Sequence, residues 1–112
     1  MFVKLNESLI NLDLIKEISE VVAFLVHSKK DPENYIYELE PKNVAKWLEI
    51  STTGSDSQKE YDVVFGFKIY YLQEQYPKHI KVSLIRNEAV NAREALATLL
   101  NGNKPVIHVV KY

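Results

Sequence analysis

The chain contains no cysteine, which excludes disulfides, thiol catalysis and thiolate metal sites together. Only three glycines occur in 112 residues, poor material for a loop that cradles phosphates with backbone amides. "STTGSDS" has the hydroxyl content of such a loop, but not the Gly-Lys-Ser/Thr ending or the glycine spacing. Arginine is nearly missing. Twelve of the fourteen basic residues are lysine and two, Arg86 and Arg93, are arginine, which argues against a dedicated bidentate reader of phosphate or guanine. The longest apolar run, Val21 to Val26, suits a buried strand and is too short to cross a membrane. The N-terminus has no basic start followed by an apolar stretch and a small-residue cleavage site, so the expected location is the cytoplasm.

Apolar residues make up 46% of the chain, enough for one domain over residues 1–112 with one core. Net charge is −1, but its distribution is uneven. Residues 1–65 hold seven Lys against twelve Asp or Glu, and residues 66–112 hold seven Lys or Arg against three Glu. Such asymmetry points either to binding of nucleic acid or another acidic partner, or to two halves that neutralise each other.

Periodicity supplies the elements. "MFVKLN" alternates as an opening strand, with Phe2 and Lys4 on one side and Val3 and Leu5 on the other. Residues 9–13 read as extended and 21–28 as a strand, while 14–20 fit helix and strand spacing alike. A turn at Asp31-Pro32 leads into the strand "YIYELE". Pro41 suits a first helical turn, with Val44, Trp47 and Leu48 on one face to about Ile50. "STTGSDSQKE" reads as a surface loop. "YDVVFGFKIYYL" is a long strand with Tyr61, Val63, Phe65, Phe67, Ile69 and Tyr71 on one side. Gly66 in its middle predicts a bulge or a close backbone approach. Gln73 to Lys78 turns the chain and "HIKVSLIR" returns it with Ile80, Val82 and Leu84 inward. "NEAVNAREALATLLNG" is a helix striped by Ala89, Ala92, Leu96, Leu99 and Leu100, with Asn87 or Asn91 to cap its start and Gly102 to end it. "KPVIHVVKY" closes as a strand. The fold class expected is α+β: a small, mainly antiparallel curled sheet or barrel with two covering helices.

Reactive constellations are sparse. His27, His79 and His108 lie far apart, and none has a second ligand at the spacing that places two on one face. Ser28 beside His27 points to the opposite face of a strand, and no nucleophile elbow is present. Glu38 and Glu40 share a strand face but read as a solvated edge. Trp47 reads as a packing anchor. The expectation is a chain without cofactor or metal that is not an enzyme.

The hairpin "FKIYYLQEQYPKHIKVSLIR" carries the functional expectation. With Phe67, Ile69 and Tyr71 inward, Lys68 and Tyr70 face out, as do His79 and Lys81, with Tyr76 and Lys78 on the turn beside them. Glu74 is the one acid counted there, and Arg86 and Arg93 extend the surface. Ammonium groups attract phosphates and aromatic rings stack unpaired bases, so the first expectation is an RNA-binding regulatory module. The alternative is a protein-interaction module that docks through the same tyrosines and a free strand edge. Unpaired edges also make a homodimer a reasonable state.

The opening "MFVKLNESLINLDLIKEI" resembles the start of small uncharacterised proteins of Gram-positive bacteria and their plasmids or phages. Some small proteins of that setting have β-barrels that resemble the PUA-like fold, and others resemble PH-like barrels. The first resemblance implies RNA binding, the second docking to a protein or a membrane. "ALATLLNGNKPV" has the order of helix, glycine and strand that a PUA-like domain uses near its surface.

Overall fold

The computed structural model describes residues 1–5, 8–27, 36–53 and 60–103. Its strands are β1 (Phe2–Leu5), β2 (Ser8–Asn11), β3 (Ile15–Ile18), β4 (Val22–His27), β5 (Ile36–Leu39), β6 (Tyr61–Tyr71) and β7 (Lys78–Ser83); its helices are α1 (Pro41–Thr53) and α2 (Arg86–Asn103). The fold is α+β, a curled antiparallel sheet forming a half-barrel, with two helices.

Strand β6 organises the sheet because it is long enough to take two partners along one edge. Its first half pairs with β4, from Tyr61 opposite His27 to Gly66 opposite Val22. Its second half pairs with β3, from Ile69 opposite Ile18 to Tyr71 opposite Ile15. That pairing decides residues 15–18 as strand, where the local pattern allowed either state. Between β3 and β4 the ladder is interrupted at Ser19, whose N–H donates to the Lys68 carbonyl at 2.9 Å while its hydroxyl accepts from the Lys68 N–H at 2.8 Å. One residue thus satisfies both backbone groups across the break. On its other edge β6 pairs with β7, and β5 lies outside β4.

Alternation along β6 puts its odd-numbered residues under the helices. One cluster joins Ile10, Leu12, Ile15, Phe67, Ile69, Ile80 and Leu96, with Val3 and Leu5 of the β1–β2 hairpin packed on it. A second joins Ala23, Leu25, Val63, Phe65 and Ala89, with Val44 and Trp47 of α1 against it. Val82 touches both. At ~1.5–3 kcal/mol for each large apolar side chain taken from water, these clusters dominate the stability of the fold.

Gly66 is the mid-strand irregularity that its position announced. The β6–β7 register shifts between Phe65 and Gly66, and a Cβ at Gly66 would overlap the carbonyl oxygen of Ile80.

Several expectations need correction. Helix α1 continues past Ile50 to Thr53, so the polar stretch begins as helix. Strand β7 ends at Ser83, and Leu84 is exposed rather than inward; Ile85 after it is also exposed. Neither Asn87 nor Asn91 caps α2. The helix starts at Arg86, and Ser83, three residues before it, orders the turn that leads in, accepting from the Ile85 N–H at 3.0 Å and donating to Glu88 at 2.5 Å. Asn87 and Asn91 lie inside the helix, past the position from which a side chain can accept from the free N–H groups of the first turn. Gly102 lies within α2, not beyond it. The Asp31-Pro32 turn, the core of the polar loop at 54–59 and the closing strand with His108 fall outside the described residues.

Candidate functional site

The face of the sheet opposite the helices holds the even-numbered residues of β6. Register places Gly66 opposite Lys81, Lys68 opposite His79 and Tyr70 opposite Glu17. Four of the expected residues, Lys68, Tyr70, His79 and Lys81, therefore share this face.

It is not simply a wet surface. Phe24 of β4 lies on it and is fully buried, one of the largest side chains with no exposure. Its ring meets the His79 ring at a centroid distance of 5.3 Å and an angle of 52°. Beside them, Gly66 lets the β7 backbone at Ile80 and Lys81 come close to β6. Above them the Lys68 ammonium lies 2.7 Å from the Glu38 carboxylate of β5, with the Lys68 side chain only 19% exposed. Glu38 pairs with Phe24, which pairs with Val64. On a flat sheet, two strand spacings and four residue rises would hold the Glu38 and Lys68 Cα atoms roughly 16 Å apart, beyond the reach of both side chains. The curl of the sheet brings them together.

Electrostatics follow from that closure. The hydrogen bond it donates to Glu38 holds the Lys68 pKa above its ordinary value against the opposing effect of burial, and Tyr70 adds to the rise. His79 is shifted the other way, below 6.5, first by burial and then by the Lys68 charge. Between that depressed value and 6.5 the unfolded chain binds a proton at His79 that the folded chain refuses. This contribution to stability is complete above pH 6.5 and is lost as pH falls through the folded-state pKa. We expect the His79 ring proton signals in an NMR titration to report a pKa below that of a reference peptide. We also expect His79→Asn to flatten the acid-side loss of stability; an unshifted titration would refute the arrangement.

The remaining expected residues go elsewhere. Lys78 pairs with Ile69, which puts its strand position on the helix-side face, and Tyr76 projects from the turn. Arg93 reaches the break between β3 and β4, donating from Nε to the Ser19 carbonyl at 2.6 Å with its guanidinium 3.6 Å from Glu20. It fastens the kink. Arg86, at the start of α2, lines a separate cavity. Glu38 is the residue that sequence reasoning missed for this site: its place on a strand face with Glu40 was legible, but Glu40 turns to Lys42 at 3.2 Å.

At one end of the sheet the β6–β7 turn meets the β1–β2 hairpin. Phe2, Leu9, Leu14, Tyr71, Glu74 and Lys78 line a hollow of about 470 Å³ there. Phe2 and Leu9 are more than 60% exposed, as is Leu72, whose N–H donates to the Leu14 carbonyl at 2.9 Å. Tyr76, in the same turn, is 74% exposed.

His27 is buried with its Nε2 3.2 Å from Glu60 and its ring edge-on to Tyr61. Trp47 also packs against Tyr61 and the second core cluster, the anchor role expected of it. Among the described residues no three His, Cys, Asp or Glu side chains gather as a metal site, and no helix is long and apolar enough to cross a membrane. Compared with family models, with curated proteins and with solved structures, the chain has no match.

Proposed function

We propose that this is a non-catalytic binding module that docks another protein through the end of the half-barrel where the β6–β7 turn meets the β1–β2 hairpin. The observation that carries the reading is the group of apolar side chains lining the 470 Å³ hollow, the exposed Phe2 and Leu9 with Leu14, and the exposed Leu72 next in sequence to the lining Tyr71. Large apolar groups clustered at a surface mark an interaction site, and Tyr76 beside them is a residue type favoured in interfaces. Charges around the hollow are mixed, with Glu74 and Lys78 on its wall and the Met1 ammonium paired to Asp13 at 2.8 Å nearby. The partner this suits presents an apolar anchor with little net charge.

Contact with RNA has less support from the same geometry. Lys68 is committed to Glu38, Glu17 stands opposite Tyr70, and Lys78 belongs to the other face. These placements reduce the positive potential that phosphates would meet.

Benzoylphenylalanine in place of Tyr76 tests the reading by photo-cross-linking in cells. A discrete adduct with a second protein is expected. It should re-form from purified components at low and high salt and vanish in a folded Leu9→Ser/Leu72→Ser variant. An adduct only between two copies would make this a homodimer surface and overturn the choice of partner. Salt-dependent binding of single-stranded RNA, lost in Lys68→Glu/Lys81→Glu, would replace the reading with the nucleic-acid one. The absence of any adduct would end it.

A further inference from the structure

A second cavity, of about 620 Å³, opens between the start of β4, the first turns of α1 and the start of α2. Its walls are apolar: Ala23, Val44, Leu48 and Phe65 line it, with Leu84 at its rim. Leu48 and Leu84 are 41% and 63% exposed, so apolar surface continues out to the mouth. Two charged side chains reach it, Glu38 and Arg86. They are not equivalent. The Glu38 carboxylate is already paired with Lys68 at 2.7 Å, whereas Arg86 has no carboxylate partner among the described residues.

We propose that this cavity binds a small amphipathic carboxylate, an unbranched acid of medium chain length, with its tail among Ala23, Val44 and Phe65 and its head group on Arg86. The volume lies within the range of about 300–1,000 Å³ in which pockets enclose small ligands, and such pockets pair apolar walls with a few polar groups that set orientation. A guanidinium presents a planar fork that matches a carboxylate with two parallel hydrogen bonds. One unpaired arginine balances one negative charge. A phosphate monoester would bring more, next to the Glu38 carboxylate, and is disfavoured for that reason. The cavity is formed by other residues than the protein-docking surface, so the two proposals stand or fall separately.

The test is titration of the full chain with decanoate and, separately, with decan-1-ol, followed by amide NMR shifts. Decanoate is expected to saturate, with the shifts centred on Ala23, Val44 and Leu84, and to bind about tenfold or more tightly than the alcohol, the factor equivalent to 1.4 kcal/mol. Arg86→Gln should bring decanoate down to the level of the alcohol while leaving the alcohol unchanged, and Val44→Trp should weaken both. Retention of the remaining spectrum shows that each variant is folded. Equal affinities for the two ligands, an unaffected Arg86→Gln variant, or shifts centred elsewhere would overturn the proposal, as would absence of saturation below the concentration at which decanoate aggregates.

Discussion

Gly66→Ala is expected to destabilise the fold by about 2–4 kcal/mol, a large share of the margin of a domain this size. The added methyl group would overlap the Ile80 carbonyl oxygen, with the Ile80 carbonyl carbon and the Lys81 Cα close behind it. All three are backbone atoms, so no side-chain rotation relieves the overlap. Strand β7 must move away from β6, and Ile80, fully buried against Phe67 and Ile69, must move with it. Urea denaturation measures the loss directly, and the melting temperature should fall by about 10 °C or more. Gly102→Ala is the control. That glycine lies in α2 with open space where a Cβ would stand, so the same substitution should stabilise by up to about 1 kcal/mol through helix propensity. A Gly66→Ala variant as stable as the parent would refute the close approach of the two strands.

The contrast between these two glycines also shows what a sequence makes legible. Gly66 interrupts a strict alternation, and an interruption in a regular pattern has few physical meanings. The odd-numbered face of β6 and the Ala89, Ala92, Leu96 stripe of α2 were readable for the same reason: each repeats with the period of its own element. Gly102 lies near a helix end, where stopping and continuing differ by little energy. The start of α2 at Arg86 was less legible, because the side chain that orders the turn into it, Ser83, belongs to the preceding strand. Residues 15–18 were ambiguous because their state is decided by β6, more than fifty positions away.

The site was legible to the same depth. Alternation placed Lys68, Tyr70, His79 and Lys81 on one face, since that follows from two paired strands. It did not show that Phe24 lies beneath them or that Glu38 reaches across, because both depend on the curl of four strands. A face that looked basic and solvated is partly a covered apolar patch, with Lys68 paired to an acid. Nothing in the residues of the hairpin records this, as that acid lies on the far side of β4.

Phe24→Ala should therefore cost about 3–5 kcal/mol, as much as removing a phenylalanine from the core under the helices. The ring has no exposure although it lies on the opposite face, and truncating it leaves a cavity between β4, β6 and His79. Phe24→Leu, which keeps most of the volume, should cost less than about 1.5 kcal/mol. The ion pair above the ring is the smaller contributor. Lys68→Met keeps an unbranched apolar stem at this partly buried position and loses only the charge pair, an exchange expected to fall within about 1 kcal/mol of the parent. Burial, not charge, is what closes this face. The same comparison has an electrostatic readout. Burial is the first cause of the low His79 pKa and the Lys68 charge the second, so water admitted in Phe24→Ala should raise that pKa back toward 6.5, and Lys68→Met should raise it by less. If stability drops more in Lys68→Met than in Phe24→Ala, or if His79 titrates alike in both and in the parent, the ring is not what holds the strands together here.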